Sequence, residues 1–280
     1  MKTWIPLILL ILVVAAAWYF LRPDAPPPET VEAPPPVLQH VEPEPEPEPL
    51  MPSTPPPSEP PAEETMPEPE PLPLLAESDP EARAALGSLV GEAMTARYFA
   101  GDNIVSRLVA TVDALDSRQV PAVIQAVDGP DSEFQATADE RPFEPILNEQ
   151  GDPIPQFVLD SANFSRYRVY VEMLEAADAG ELVALYRQNE PLFEEAYRQL
   201  GYPEGGFNAR LAAIIDQVLA APEVDEPLRL IKPEAYYLFA DESLESLPAG
   251  QKVLLRMGPE NAARVKAKLA EIRDALEAAE

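Results

Sequence analysis

The alternation of apolar and polar positions divides the chain into three stretches of different kind. Trp4 to Leu21 reads WIPLILLILVVAAAWYFL, eighteen residues without a charge. As a helix it is about 27 Å long at ~1.5 Å per residue, close to the ~30 Å hydrocarbon thickness of a bilayer. Trp4 stands at one end and Trp18, Tyr19 and Phe20 at the other, the two headgroup levels where amphipathic rings settle. The run predicts a transmembrane anchor over residues 1–22. Residues 23–78 show no period at all. From Asp79 onward the apolar positions recur at helical spacing almost to Glu280.

In that third stretch Asp79-Pro80 reads as a helix start, an N-cap acid followed by proline at the first helical position. Leu86, Leu89, Val90, Ala93 and Met94 give the helix its apolar stripe, and it is expected to run to about Ala100. Asp102 or Asn103 is expected to cap a second helix carrying Ile104, Leu108, Val112 and Leu115. Val120, Val123, Ile124 and Val127 suggest a short third one. Residues 128–160 hold five prolines; Gln150-Gly151-Asp152 would either turn a small hairpin or sit in an irregular excursion. Helical spacing returns after Ser161: Phe164, Tyr167, Val171 and Leu174 first, then Leu182 to Leu200 with a break or kink near Pro191, then Phe207 to Val218. Residues 222–233 read as extended, and Glu234 to Leu247 as one or two short helices. Gly250 to Met257 ends at Gly258, and Pro259 opens a last helix, so the Gly-Pro junction predicts a tight corner. The fold class expected is mainly α: a multi-helix domain over residues 79–280 with a small β-hairpin excursion, preceded by one transmembrane helix and a linker.

Composition changes the picture of the middle stretch. Residues 23–78 hold 21 prolines and thirteen acids with no Lys or Arg, including EPEPEPEP from Glu42 to Pro49. Such a segment buries too little apolar surface to offset its ordering entropy, and proline biases it towards extended polyproline II. It reads as a disordered Pro/Glu-rich spacer with an upper reach of roughly 170 Å at ~3.1 Å per residue. Lys2 precedes the apolar run and Arg22 follows it, a weak positive-inside signal. The expected topology is a single-pass inner-membrane protein with its carboxyl-terminal domain in the periplasm. The rival is a cleaved signal peptide, for which Ala15-Ala16-Ala17 offers a site.

The formal charge of the chain is −29. That field repels phosphate backbones, so no nucleic-acid partner is expected. With no cysteine, and with the one histidine, His40, in the spacer, thiolate catalysis, Cys-based zinc sites and Ser-His-Asp triads are excluded. No cofactor and no metal site is indicated. Carboxylate-only chemistry survives elimination, with Glu190, Glu194, Glu195, Glu242 and Glu245 as nominal acids. Their spacing does not separate them from solvated helix acids.

One cationic concentration stands against the acidic background: Lys252, Arg256, Arg264, Lys266 and Lys268 around the Gly258 corner. It is the candidate interaction patch, suited to a carboxylate-rich or phosphate-bearing envelope component or to the acidic spacer itself. The plainer alternative is that these side chains pair with neighbouring helices. Tyr167, Tyr170, Tyr186, Tyr197, Tyr202, Tyr236 and Tyr237 offer a second candidate surface, although Tyr167, Tyr186 and Tyr197 fall on apolar stripes and read as core.

Leu200-Gly201-Tyr202-Pro203, Phe207 with Arg210-Leu211, Phe239-Ala240-Asp241, and the stretch from Gly250-Gln251-Lys252 through Leu255-Arg256-Met257-Gly258-Pro259-Glu260-Asn261-Ala262 together resemble a bacterial envelope family known only as a domain of unknown function. The resemblance covers roughly residues 79–280. It implies an amino-terminal anchor and a proline-rich spacer ahead of the domain, and it brings no activity and no catalytic residues. The function expected is a non-enzymatic interaction or scaffold module of the cell envelope, held to the membrane by residues 4–21 and facing an envelope protein or cell-wall partner. The alternative is a carboxylate-dependent cell-wall glycan hydrolase or lyase.

Overall fold

The computed structural model describes residues 72–139, 144–148, 150–224 and 227–279. The apolar run 4–21 and the greater part of the proline-rich spacer lie outside them. Among the described residues no helix is long and apolar enough to cross a membrane.

The domain takes in residues ahead of Asp79: Leu75–Glu77 form a 3-10 turn, and Ser78 is buried. The first expected helix is two helices. Gly91, at φ +90°, separates α1 (Asp79–Val90) from α2 (Glu92–Tyr98). Ser78, not Asp79, stands at the cap position of α1. The Asp79 carboxylate instead accepts from the backbone N–H groups of Asn103 and Ile104, each at 2.8 Å, the open donors at the start of α3 (Ile104–Ala114). A helix start leaves up to four such donors unpaired, and an acid there also faces the positive end of the helix dipole. The expected third helix shrinks to a 3-10 turn, Ala122–Ile124, with Val120 and Val127 buried and Val123 exposed.

A 3-10 segment, Ser161–Tyr167, leads into α4 (Arg168–Ala176). α5 (Ala179–Gln199) runs through Pro191 without ending, so of the break or kink expected there the break is absent. Glu194 on α5 repeats the device of Asp79. Its two oxygens accept from Gly206 and Phe207 N–H, each at 2.8 Å, at the start of α6 (Phe207–Leu219). Glu194→Ala is therefore expected to destabilise the domain by about 1–2 kcal/mol, the usual worth of a helix cap, with Glu194→Gln intermediate; urea unfolding reads the difference.

The sheet is larger than the hairpin expected. β1 (Ala136–Ala138), β2 (Gln156–Leu159), β3 (Arg229–Ile231) and β4 (Leu238–Phe239) form four antiparallel strands in chain order. Thr137 pairs with Val158, Phe157 with Leu230, and Leu230 with Phe239. The turn at Gly151 does form: Leu147 bridges Pro153, Gly151 N–H donates to Asn148 O, and the Asn148 side chain accepts from Gln150 and Asp152 N–H. Glu234 to Leu247 holds β4 and then one short helix, α7 (Glu242–Glu245).

α8 (Ala249–Arg256) and α9 (Pro259–Ala278) complete the chain. α3 packs on α1, α5 and α6, while α9 lies across α4, α5, α6 and α8. Leu108, Val112, Tyr170, Leu174, Leu211, Ile215 and Leu269 are shut off from solvent at the centre, each worth roughly 1.5–3 kcal/mol of hydrophobic burial. A second apolar cluster, Leu159, Leu228, Leu230 and Phe239, joins the sheet to Leu255 of α8. Helix α8 thus touches both cores.

Candidate anion-accepting site

Helix α8 reads AGQKVLLR, and every one of its residues is buried. Its first turn is held against the helical core: Ala249 N–H donates to Ser117 O at 2.8 Å and Gly250 N–H to Leu115 O at 3.0 Å. A Cβ on Gly250 would stand 2.8 Å from the Val218 side chain, which is why glycine occupies this close approach. Being enclosed, the helix takes its polar residues inside with it. Lys252 is 4% exposed and Arg256 3%, and among the described residues they are the only buried charged side chains.

The two cations are treated differently. Lys252 Nζ donates to Glu245 Oε1 at 2.6 Å and to Glu245 O at 3.1 Å. The other Glu245 oxygen accepts from Phe239 N–H at 2.8 Å, so one carboxylate ties α7, β4 and α8 together. Burial pushes the Lys252 ammonium below the ordinary lysine value, and the Glu245 contact opposes that shift without cancelling it.

Arg256 has no carboxylate at ion-pair distance among the described residues. Its one hydrogen bond is long, Nη2 to Tyr237 O at 3.4 Å, and its guanidinium stands 5.0 Å from the centre of the Phe239 ring. A guanidinium carries five N–H donors. Burial pulls its pKa below the usual arginine value, offset only in part by Glu245 and Tyr167. Lys252 and Arg256 are also one helical turn apart with the same sign, which is unfavourable in itself. An enclosed cation without a counter-charge costs several kcal/mol.

Both residues line a cavity of about 110 Å³ with Arg118, Tyr236, Leu238 and Glu245 on its walls. Arg118 lies on the exposed side, held by Nη2 to Ser246 Oγ at 3.0 Å. The walls carry three cations and one carboxylate in a chain of formal charge −29.

The remaining members of the expected patch lie elsewhere on α9. Arg264 pairs with Glu175, Nε to Oε1 at 2.8 Å and Nη2 to Oε2 at 2.5 Å, a contact that raises the arginine and lowers the acid. Lys268 Nζ meets Glu271 at 2.7 Å. Lys266 Nζ donates to Ala221 O at 2.6 Å at the rim of an apolar groove of about 360 Å³ between Pro222, Val224, Leu254 and Ala262. The five cations therefore split into two buried members at one cavity and three on α9 with local partners. Arg118 was not marked by any sequence signal, since it sits in the polar loop Asp116-Ser117-Arg118-Gln119. Glu245 stood out only as one acid among several; its pairing across Pro248 is invisible to helical spacing.

The tyrosines do not line a common groove. Tyr167, Tyr170, Tyr186 and Tyr197 are buried, and Tyr202 stacks on Tyr197 with ring centres 4.2 Å apart. Most of the nominal catalytic acids are engaged as acceptors. Glu190 takes a hydrogen bond from Asn208 and pairs with Arg187, Glu194 caps α6, Glu195 receives Arg198 and Gln199, and Glu245 holds Lys252. Among the described residues no group of three or more His, Asp or Glu side chains is placed to hold a metal ion.

Residues 104–273 match the family described as Protein of unknown function (DUF3014). The chain belongs to this family. The DUF3014 match runs from the first residue of α3 into α9, and it contains Arg118, Glu245, Lys252 and Arg256. It agrees with the resemblance to an uncharacterised family carried by Leu200–Pro203 and Gly250–Ala262. No curated protein and no solved structure matches the chain.

Proposed function

We propose that this DUF3014 protein is a non-enzymatic interaction module of the cell envelope. Residues 4–21 hold it in the inner membrane, the Pro/Glu-rich spacer stands the helical domain off the bilayer, and the domain engages an envelope protein or cell-wall partner in the periplasm. The span rests on the length and apolarity of the run, and the stand-off on the composition of residues 23–78.

The observation that carries the non-enzymatic reading is the use made of the acids. Carboxylate-dependent glycan cleavage needs two carboxyl groups facing one open space, one of them free to give up a proton to the leaving group. Glu194 and Glu245 each use both oxygens on donors of the fold, and Glu190 and Glu195 sit on Asn208 and Arg198. Such acids act as structural acceptors.

Two measurements test the reading. The full-length chain in detergent, incubated with peptidoglycan, is expected to release no soluble muropeptide above a heat-inactivated control. Release that disappears in a variant with Glu190, Glu194 and Glu195 all changed to Gln would replace the module by a hydrolase or lyase. A topology reporter fused after Glu280 is expected to be active on the periplasmic side. Cytoplasmic activity would remove every envelope partner from consideration.

A further inference from the structure

We infer that the cavity between Arg118, Lys252 and Arg256 is a binding site for a phosphate group, as the free ion or as a phosphomonoester. The inference deepens the reading of a binding module and rests on it.

The reasons are charge, enclosure and donor count. Most of this acidic chain repels anions, so an anion can settle only where cations are concentrated and water is partly excluded. The two buried charged side chains among the described residues are both cations, both on α8, and both on the wall of this cavity. Lys252 is already matched by Glu245. Arg256 has no carboxylate at ion-pair distance among the described residues, and one long hydrogen bond engages its five donors. Arg118 adds a second guanidinium at the open side, tethered among the described residues through Ser246 Oγ.

Three cations against one carboxylate leave an excess of two positive charges on the walls. A carboxylate ligand would neutralise one. A phosphate or phosphomonoester carries about −1.5 to −2 at pH 7 and presents at least three acceptor oxygens, which suits a wall with two guanidinium groups and an ammonium. The volume, about 110 Å³, is enough to take one such group.

The expected result is read by calorimetric titration of the full-length chain in detergent at constant ionic strength. Inorganic phosphate and glycerol phosphate should bind, while acetate and chloride should give no heat above dilution. Tighter binding of glycerol phosphate points to a phosphorylated head group as the source, and tighter binding of inorganic phosphate to the free ion; either result supports the site. Arg256→Met should weaken binding about tenfold or more, since hydrogen bonds to charged groups are the strong ones. Its unfolding midpoint should stay unchanged or rise, because an unpaired buried charge has been replaced by a side chain of similar volume. Arg118→Gln, at the exposed rim, should weaken binding several-fold with no effect on folding, and Arg168→Gln, in an exposed pair on α4, should leave it unchanged.

Equal heats for phosphate and chloride would overturn the assignment, as would preference for acetate or full binding by Arg256→Met. A chain that binds phosphate but carries its domain in the cytoplasm would sink the envelope reading alone. One that faces the periplasm and ignores phosphate would sink this assignment alone.

Discussion

Gly258→Ala is expected to lower the thermal midpoint of the domain by roughly 4–24 °C, at ~2–4 °C per kcal/mol for a domain of this size. Two independent costs meet at this residue. Its backbone sits at φ +84°, ψ +160°, a region closed to residues with a Cβ, so any substitution adds about 1–3 kcal/mol of strain. A Cβ there would also stand 2.6–2.7 Å from three carbons of the Phe164 ring, well inside contact distance. Relieving that overlap moves a ring that packs from the 3-10 segment against the second apolar cluster, a further cost of about 1–3 kcal/mol. The corner has no easy way to give, because Asn261 Nδ2 donates to both Met257 O and Phe164 O, at 2.9 and 2.8 Å. Gly101→Ala is the matched control: its backbone conformation is ordinary and an added Cβ meets nothing within 4 Å, so its midpoint should move little. A Gly258→Ala midpoint equal to that of Gly101→Ala would refute the assignment of strain to the corner.

That corner was readable in the sequence. Glycine followed by proline after an apolar helical stripe carries its own mechanism: a left-handed or extended stop, then a helix start that needs no amide donor. The same holds for α3, α6 and α9, whose buried positions Leu108, Leu211 and Leu269 recur at helical spacing. The sheet was not readable beyond its first turn. Its strands are two to four residues long, too short to show an alternation, and β2 and β3 are brought together from more than sixty residues apart. Leu238-Phe239 sits between Tyr236-Tyr237 and an acid-rich helix start, so its local pattern is indistinguishable from that of a helix. Caps were misread for a related reason. Asp79 looks like a local cap, but it serves a helix that begins 25 residues further on, and Glu194, read only as one acid among several, caps a helix thirteen residues away.

The candidate site was half legible. Composition picked out Lys252 and Arg256 as cations in an acidic chain, yet it grouped them with Arg264, Lys266 and Lys268, which occupy other surfaces. What separates them is enclosure, and enclosure follows from α8 being held between two apolar clusters, a consequence of tertiary packing. Gly250 was the one local hint, since a glycine inside a short helix costs about 1 kcal/mol and is commonly kept for close approach. Natural chains rarely bury a cation without a partner, and where one is buried, function is the first place to look for the compensation.

Glu245→Ala is expected to have the largest effect of any single side-chain truncation on this face, a loss of about 3–5 kcal/mol, because it leaves Lys252 charged, enclosed and without its carboxylate. It also removes the acceptor of the Phe239 N–H and so loosens the edge strand β4. The sign of the pH dependence separates these two losses. Burial already holds the Lys252 ammonium below its ordinary value, so the unfolded chain binds a proton more tightly than the folded one does. Stability contributed by this group therefore rises with pH between the lowered folded pKa and the unfolded value of ~10.4. Removing Glu245 takes away the one contact that opposes the shift, which widens that window downward. The deficit of Glu245→Ala relative to the parent should accordingly shrink as the pH is raised through the alkaline range, and Glu245→Ala combined with Lys252→Met should recover most of it at neutral pH. Urea unfolding of the three proteins at neutral and alkaline pH reads both effects. A deficit that is independent of pH and survives in the double variant would assign the role of Glu245 to the Phe239 N–H alone, and the cavity would lose its claim to a charge balance set by Lys252.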